Sequence, residues 1–308
     1  MAGRIIDVHH HATPPARLAD MRTRGVGERP TLDWTLEKSL AMMERGGVAT
    51  AMISIPNVYQ GDRKAIRGLV RECNEHVARI VADHPGRFGL FACLPLPDVD
   101  GALAEIDYVF GTLKADGVGV MTSFENKWLG DPLFAPVLDE LNRRKAVTFV
   151  HPLAAECCRG ILPVVSDATI EYETDTVRAI ASILFGGAAK RCPDIRFIFS
   201  HGGGTLPSVI ERFILLPRMR PELAAMVPDG PEAMVRRFHY DIAQSSHAVP
   251  LSALIRLVST AQILFGTDFP YRNANDHSDA LRAFGLGPAD LEAIERSNAL
   301  KLLPRLAP

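Results

Sequence analysis

The chain lacks an excess of charge of either sign. Its 308 residues include 34 Lys and Arg against 36 Asp and Glu, so the formal net charge is −2. Such a balance argues against a protein that binds nucleic acid or an anionic membrane through a basic surface. The fractions of hydrophobic residues, 47%, and of charged residues, 23%, are near the globular average and exclude a disordered, collagen-like or low-complexity chain.

The chain also lacks the features of membrane and secreted proteins. No apolar run approaches the ~20 residues that a spanning helix needs. The opening residues, Met-Ala-Gly-Arg-Ile-Ile-Asp, contain no apolar stretch of the kind found in a secretory signal. The five cysteines are odd in number and scattered: Cys73, Cys93, Cys157, Cys158 and Cys192. We therefore expect a reduced, cytoplasmic protein without nucleic-acid or membrane partners.

What the sequence does contain is a repeated alternation of short apolar runs and longer segments with helical spacing. The runs are rich in Val, Ile and Phe and are apolar nearly throughout, as expected for parallel strands covered on both faces. The eight predicted strands are Arg4–Val8, Thr50–Ile55, Phe88–Cys93, Gly117–Met121, Ala146–Val150, Ile195–Phe199, Phe238–Ile242 and Gln262–Phe265.

Three of the segments between these runs carry an apolar stripe with helical spacing. The longest stripe extends from Ile66 to Val81 and is followed by Pro85 and Gly86, which favour the end of a helix. The other two stripes lie at Ala102, Ile106, Val109 and Leu113, and at Leu133, Val137, Leu138 and Leu141. Eight strand–helix units in a chain of this length predict a single-domain (β/α)8 barrel over residues 1–308.

The main alternative is an open, doubly wound sheet, which usually has a glycine-rich turn for phosphate after its first strand. Here the first strand leads into Asp7-Val8-His9-His10-His11, which contains no glycine. In a barrel, the long segments after the first and fifth strands, Ala12–Asp33 and Pro152–Glu171, lie over the C-terminal ends of the strands. Barrel enzymes bind their ligands at that face.

Polar side chains follow several of the predicted strands. His9 and His11 follow the first strand, and His151 follows the fifth in Thr-Phe-Val-His-Pro. His201 follows the sixth strand in Ser-His-Gly-Gly-Gly, and Asp268 follows the eighth in Gly-Thr-Asp-Phe-Pro. Because the C-terminal ends of all barrel strands meet at one face, we expect these five side chains to converge.

The spacing of these residues indicates a metal site. Residues two apart on a strand point to the same side, so His9 and His11 can bind one ion while His10 points away. His151 and Asp268 complete a set of three nitrogen ligands and one oxygen ligand. This set suits Zn²⁺, with Mn²⁺ or Fe²⁺ as alternatives, and leaves a position for water or substrate. A histidine after one strand is usually structural, so the prediction depends on the combination.

Together these motifs resemble those of the decarboxylase branch of the amidohydrolase superfamily, whose type member is aminocarboxymuconate semialdehyde decarboxylase. The resemblance rests on Asp-Val-His-His-His, Phe-Val-His-Pro, Ser-His-Gly-Gly-Gly and Gly-Thr-Asp-Phe-Pro and extends over the full chain. Three stretches, Asp98–Met121, Trp128–Pro152 and Ile195–Pro207, are most similar to bacterial relatives of 6-methylsalicylate decarboxylase. The family implies a barrel, one divalent metal ion, and loss of CO₂ without an organic cofactor.

The resemblance assigns roles to particular residues. It implies that the metal ligands are His9, His11, His151 and Asp268. It implies a general acid/base role for His201, beside the metal. Two-metal relatives often bridge their ions with a carboxylated lysine at the end of the fourth strand, where this chain has Met121, so we expect one metal. Lys127, further along, is interpreted as a loop charge.

The resemblance also points to two arginines that would bind the substrate carboxylate. Arg212 lies eleven residues after His201 (212 − 201), at the position of a family arginine that reaches the active site of a neighbouring subunit. A solvated helix charge is the alternative for Arg212. Arg29 lies near a second family arginine, with an offset of one residue. An arginine that acts across subunits implies a homodimer or a larger homo-oligomer.

Three further polar residues have weaker signals. Asp241, after the seventh strand, could orient a metal ligand or cap a turn. His247 and His277 fall in predicted loops, where we expect them to be solvated. The glycines at 202–204 lack the Lys and Ser/Thr of a nucleotide-binding loop, so we expect them to give the backbone room beside His201.

These features predict a metal-dependent, non-oxidative decarboxylase. Its substrate would be a small aromatic acid of the 2-hydroxybenzoate type, similar to 6-methylsalicylate, or a related unsaturated carboxylic acid. His201 and Asp268 would carry a proton to the carbon that loses CO₂. The alternative in the same fold is a metal-dependent hydrolase of a lactone or an amide. A degenerate barrel that only binds a partner is a third hypothesis, which the presence of all five polar residues disfavours.

Overall fold

Eight parallel strands form one sheet, which curves into a barrel. The computed structural model describes residues 4–56 and 61–306. In their spatial order, the strands are β1 (Ile5–His11), β2 (Val48–Ser54), β3 (Phe88–Cys93), β4 (Gly117–Met121), β7 (Val147–His151), β8 (Arg196–Phe199), β9 (His239–Asp241) and β10 (Ile263–Leu264). A separate antiparallel hairpin consists of β5 (Ser123–Phe124) and β6 (Lys127–Trp128).

Helices follow the strands and cover the outside of the sheet. In chain order they are α1 (Pro15–Arg24), α2 (Arg29–Leu32), α3 (Leu36–Gly46), α4 (Arg63–Asp83), α5 (Val99–Gly111), α6 (Ala135–Arg143), α7 (Asp167–Phe185), α8 (Ala188–Arg191), α9 (Leu206–Met219), α10 (Pro231–Val235), α11 (Ala248–Val258), α12 (Ala274–Phe284), α13 (Pro288–Glu292) and α14 (Asn298–Leu302). Among the described helices, none combines the length and the apolar character needed to cross a membrane.

The last strand meets the first and closes the barrel. The Val8 amide donates to the Phe265 carbonyl at 2.9 Å, and the Asp268 amide donates to the His9 carbonyl at 2.8 Å. The His11 amide continues this seam with a 2.8 Å bond to the Phe269 carbonyl. The predicted (β/α)8 barrel is therefore confirmed, and the alternative of an open sheet is wrong.

Apolar side chains fill both the inside of the barrel and the layer between strands and helices. The inner cluster includes Ile6, Val8, Phe91 and Phe149, with the Phe91 and Phe149 rings stacked at 5.6 Å between centroids. The outer cluster includes the stripe of α4, which begins at the N-cap Asp62 and ends before Pro85 as predicted. Branched and aromatic side chains in layers are typical of a packed barrel interior. The strand ends therefore rest on a closely packed core.

Two details of the predicted elements are wrong. Leu133 does not belong to the buried stripe of α6, because it lies in a short 3₁₀ turn before that helix and is 40% exposed. Lys127 was expected in a loop but lies in the hairpin strand β6, although its side chain is exposed as a surface charge would be. Buried Asp175 of α7 fixes this hairpin by accepting hydrogen bonds from Ser123 Oγ at 3.1 Å and Trp128 Nε1 at 2.7 Å.

The first strand extends further than predicted and is irregular. The prediction ended the first strand at Val8, but β1 continues to His11. His9, His10 and His11 are all buried, and their backbones pair with β2 or with the segment that follows β10. Asp7 pairs with Ala51 whereas His10 pairs with Ile53, so β1 has one residue more than β2 between these pairs. Such a shift is a bulge-type irregularity, which changes the direction in which side chains point.

Candidate metal centre and active site

The strand ends bring three imidazoles and one carboxylate together. His9, His11, His151 and Asp268 are buried, and their ligand atoms all lie within 4.8 Å of one another. His9 Nε2 lies 3.1 Å from His11 Nε2. Asp268 Oδ1 lies 3.3 Å from His9 Nε2 and 3.1 Å from His11 Nε2. The predicted convergence of these residues is therefore confirmed.

Each histidine of this cluster is held through its other ring nitrogen. His9 Nδ1 lies 2.9 Å from Asp241 Oδ2, and His11 Nδ1 lies 2.9 Å from Ser54 Oγ. His151 Nδ1 contacts its neighbouring carbonyl, Pro152 O, at 2.8 Å. If Nδ1 carries the proton in each ring, the Nε2 lone pairs all point inward. This is the orientation that metal-binding histidines adopt.

His10 is excluded from the cluster, as predicted. Its Nδ1 lies 3.2 Å from Asp7 Oδ2, and its Nε2 lies 2.9 Å from Ser39 Oγ, outside the barrel lumen. Asp7 also accepts hydrogen bonds from the His9 amide at 3.1 Å and from Thr267 Oγ1 at 2.7 Å. The Asp7 carboxylate therefore stabilises the irregular part of β1 that directs His9 inward.

The electrostatics of the cluster favour a cation. Burial lowers the pKa of His9, but the carboxylates of Asp241 and Asp268 outweigh it and raise the pKa to about 10. Burial and the neighbouring His11 hold the pKa of His151 well below its usual range. Burial opposes ionisation of Asp268, yet the adjacent imidazoles hold its pKa well below the usual range. The field of the two carboxylates therefore stabilises one positive charge among the imidazoles.

The residues present fit a divalent metal ion. Asp268 Oδ1 is buried and has no hydrogen-bond partner, although two imidazole nitrogens face it. Three imidazoles, each neutral once it binds an ion, and a carboxylate form a donor set found at zinc and manganese sites. Within residues 4–56 and 61–306, no second group of three or more such side chains is close enough to hold an ion. Met121 is buried at the end of β4 beside His151, where a bridging lysine would stand.

His201 lies next to the cluster but is held differently. Its Nε2 is 3.5 Å from Asp268 Oδ2, and its ring centroid is 5.1 Å from that of His9. The His201 amide donates to Asp241 Oδ1 at 3.1 Å, which fixes the backbone in a left-handed conformation with φ +52°. Neither ring nitrogen of His201 has a hydrogen-bond partner, although the side chain is buried. The ring therefore lies beside the group of possible ligand atoms without belonging to it.

A cavity of about 620 Å³ opens onto these residues. Its size suits a small organic ligand. Among the described residues its lining includes His11, Glu28, His151, Tyr172, Glu173, His201, Gln244, Asp268 and Tyr271. Both long segments predicted to cover this face contribute, the first through Glu28 and the second through Ala168 and Thr169.

The two predicted substrate arginines lie outside this lining. Arg29 is on α2, its side chain is 92% exposed, and it pairs with Asp33 at 3.2 Å. Arg212 is exposed on α9, one turn beyond Ser208, which does line the cavity. Their roles in substrate binding remain predictions, and the role given to Arg212 requires a second subunit.

Other contacts decide between the interpretations given above for Asp241, His247 and His277. Asp241 orients a metal-cluster histidine, as one of its two interpretations proposed. His247 is exposed, but the expectation for His277 is wrong, since it is buried in α12 with Nδ1 2.9 Å from Ser246 Oγ and Nε2 3.1 Å from the Thr267 carbonyl. Gln244, which the sequence did not single out, donates from Nε2 to Asp268 Oδ2 at 3.0 Å. No motif marks Gln244, because its position depends on a left-handed turn after β9.

The chain is similar to known decarboxylases in sequence and to a solved structure in fold. The decarboxylase yanB of Aspergillus niger is 35% identical over 97% of this chain and 87% of its own length. The 6-methylsalicylic acid decarboxylase of Penicillium expansum is 34% identical over 98% of this chain and 96% of its own length. A dihydroxybenzoic acid decarboxylase of Polaromonas sp. JS666, solved with manganese and the inhibitor 2-nitroresorcinol, superimposes with a TM-score of 0.85. It is 20% identical and covers 100% of this chain and 98% of its own, which supports the fold.

A family model provides the last comparison. The model described as Amidohydrolase matches residues 6–305, from the first strand to the final turn. The matched range includes the cluster of His9, His11, His151 and Asp268, and also His201 and the residues that line the cavity. The chain therefore belongs to the amidohydrolase family.

Proposed function

We propose that the protein is a metal-dependent, non-oxidative decarboxylase of a 2-hydroxybenzoate-type acid such as 6-methylsalicylate. The observation that carries this proposal is the buried cluster of three histidines and Asp268 facing a cavity of about 620 Å³. Two relatives that span nearly the whole chain at 34% and 35% identity are decarboxylases, and one acts on 6-methylsalicylic acid. The enzyme class is therefore a carboxy-lyase.

The proposed metal ligands are His9, His11, His151 and Asp268, through three Nε2 atoms and Oδ1. The donor set suits Zn²⁺, and the manganese in the Polaromonas enzyme supports Mn²⁺ as the alternative. A divalent cation held there supplies an electrophile for the phenolic oxygen and carboxylate of the substrate. No organic cofactor enters this proposal.

The chain's own residues then handle the proton. His201 Nε2 lies beside Asp268 Oδ2, so the imidazole can deliver its proton to the ring carbon that bears the carboxylate. The electron pair of the carbon–carbon bond returns to the ring, and CO₂ leaves with no net change in oxidation state. Gln244 donates to the same Oδ2 and keeps that oxygen directed at His201. The reaction consumes one proton, which returns to His201 from solvent.

The described lining of the cavity contains aromatic and polar side chains but no lysine or arginine. A substrate carboxylate in this cavity needs a positive charge, which the metal and a cation from outside the described lining can provide. We propose Arg212 of a neighbouring subunit for the second role, which requires a homodimer or a larger homo-oligomer. Tyr172, whose ring lies 6.3 Å from that of His151, can contact the face of an aromatic substrate.

The test is turnover of defined acids by the metal-loaded enzyme. We expect 6-methylsalicylate to give equal amounts of CO₂ and 3-methylphenol. The matched compound 2-methylbenzoate, which lacks the hydroxyl group, should give neither, because its ring carbon is less basic and its phenolic oxygen is missing. Hydrolysis of a lactone or amide, without CO₂ release from any 2-hydroxybenzoate, would contradict the proposal.

A further inference from the structure

One buried histidine of the active site differs from the others in how it is supported. His9, His11 and His151 each have a fixed partner at Nδ1, and His10 has partners at both ring nitrogens. His201 has no hydrogen bond at either ring nitrogen, although the residue is buried and only 4% exposed. A buried polar group without a partner is rare and costs stability unless it has a functional reason.

A carboxylate faces the unsupported side of this ring. Glu173 Oε1 lies 4.0 Å from His201 Nδ1, while His201 Nε2 faces Asp268 Oδ2. Glu173 is on α7, lines the catalytic cavity and is half-buried. Among the described residues, no other ion pair is made by its carboxylate. Burial raises the pKa of Glu173 above its usual range, and the neighbouring His201 opposes this rise.

The backbone holds Glu173 and His201 in this relation. The Thr205 amide donates to the Glu173 carbonyl at 3.3 Å, so the turn after His201 is tied to α7. Gly204 allows the contact, because a Cβ there would meet the Glu173 carbonyl oxygen at 2.2 Å. Gly204 also has φ +63° and ψ −132°, a conformation that is essentially restricted to glycine. The turn and the helix are therefore packed as one unit.

We propose that Glu173 is the positioning residue for His201. Its carboxylate accepts a hydrogen bond from the Nδ1–H of His201 when substrate closes the remaining gap, which keeps Nδ1 protonated and directs Nε2, with the proton to be transferred, at Asp268 and the substrate. Catalytic hydrogen bonds that are long without substrate often tighten in the complex. Asp241, Ser54 and Pro152 each occupy the Nδ1 atom of one cluster histidine and so orient its ring. Glu173, on α7, would do the same for His201.

The kinetic test compares Glu173→Ala with Glu171→Ala. Glu171 is on the same helix but outside the cavity lining, where it faces Arg178 at 3.7 Å. We expect Glu173→Ala to lower kcat for 6-methylsalicylate about tenfold to a hundredfold, as for other partners that orient a catalytic group. KM should change little, because Glu173 acts on the ring and not on substrate binding. Glu173→Gln keeps an acceptor oxygen and should recover most of kcat, and Glu171→Ala should match wild type.

The second measurement does not depend on turnover. Nitrogen NMR of isotope-labelled histidine in the zinc-loaded protein reports which ring nitrogen of His201 carries the proton, with His201→Ala identifying the signal. We expect His201 to carry a proton on Nδ1 in wild type with a bound 2-hydroxybenzoate, whether or not Nε2 is protonated as well, and a mixture that includes unprotonated Nδ1 in Glu173→Ala. Wild-type kcat together with an unchanged His201 spectrum in Glu173→Ala would overturn the inference.

The kinetic arm rests on the proposed decarboxylase function, and the two can fail separately. If wild type releases no CO₂ from any 2-hydroxybenzoate, the proposed function fails. The spectrum of His201, measured with and without Glu173, then still decides whether the carboxylate orients the ring.

Discussion

At the residue scale, the histidines around the cavity fall into two groups according to the hydrogen bonds of their ring nitrogens. The cluster histidines have their Nδ1 atoms occupied and their Nε2 atoms turned inward, as metal ligands require. His201 has both ring nitrogens unpaired and lies against Asp268 Oδ2. The first group has the arrangement of a metal site, and we propose that His201 transfers the proton.

The distinction gives a prediction for His201→Ala. The variant should keep its metal, because His201 is outside the set of ligand atoms within 4.8 Å. It should lose about 10²–10⁴-fold in kcat, the usual contribution of a general acid or base. Elemental analysis and CO₂ release from the same preparation check both points. A variant without metal would identify His201 as a ligand and change the proposed site.

A second residue, His239 at the start of β9, predicts a pH dependence of stability. Burial lowers its pKa from 6.5 to about 4, with a smaller opposing contribution from a backbone hydrogen bond to Phe197. Between these values the unfolded chain binds a proton that the folded chain does not, so stability falls as pH decreases from about 6.5 to about 4. Urea unfolding of wild type and His239→Gln at pH 7 and pH 5 measures this. Equal losses in the two proteins would rule out His239 as a cause.

Sequence alone predicted the residues of the cluster and offered Asp241 as a support for one of them, but it did not predict the other supports. Barrel topology brings strand ends together, so His9, His151 and Asp268 could be placed from their positions after apolar runs. The partner of His11, Ser54, depends on the register between β1 and β2, and Glu173 depends on how α7 packs on the turn after β8. Such contacts have no local signature in the chain.

At the scale of elements, β1 shows why simple alternation was not sufficient. Ile6 and Val8 lie in the inner cluster, so strict alternation would next direct His10 into the lumen. The extra residue between the pairs formed by Asp7 and His10 shifts the pattern, and His9 and His11 point inward instead. The prediction that His10 points away is confirmed, but the bulge that produces this result was not predicted.

The junction of α7 with the turn after β8 gives a prediction for Gly204→Ala. A Cβ at Gly204 would meet the Glu173 carbonyl oxygen at 2.2 Å, whereas one at Gly230 would meet nothing within 4 Å. Both glycines have positive φ with extended ψ, so both substitutions carry the same type of backbone strain. Gly204→Ala should cost about 1–3 kcal/mol more than Gly230→Ala, the usual range for overpacking. Denaturant unfolding of the pair measures the difference, and equal midpoints would refute the close approach.

At the scale of the whole molecule, the barrel provides a cavity and a group of metal-ligating side chains, but the described lining of the cavity contains no lysine or arginine. The eight parallel strands and the closed barrel followed from the repeated strand–helix pattern, but the hairpin of β5 and β6 and the true end of β1 did not. The arrangement of subunits leaves no such pattern in the chain. The proposal that subunits complete each other's sites can be tested through Arg212, which is exposed on α9.

Subunit mixing tests the proposal for Arg212. Arg212→Ala and His201→Ala should each be inactive alone. In a mixed dimer with the arginine acting across the interface, one site carries both defects and the other carries neither. Random reassortment should therefore restore up to about a quarter of wild-type activity for a two-fold dimer. No recovery, with exchange of subunits verified by mass, would show that Arg212 does not act across an interface.

The central claim is that a single divalent ion at the cluster makes this chain a decarboxylase. The most direct measurement is CO₂ release from 6-methylsalicylate while metal-free protein is titrated with Zn²⁺ or Mn²⁺. We predict no activity without metal, a linear rise, and a break at one equivalent per chain, with Asp268→Asn showing no such rise. Full activity in metal-free protein, or a break at two equivalents, would contradict the account.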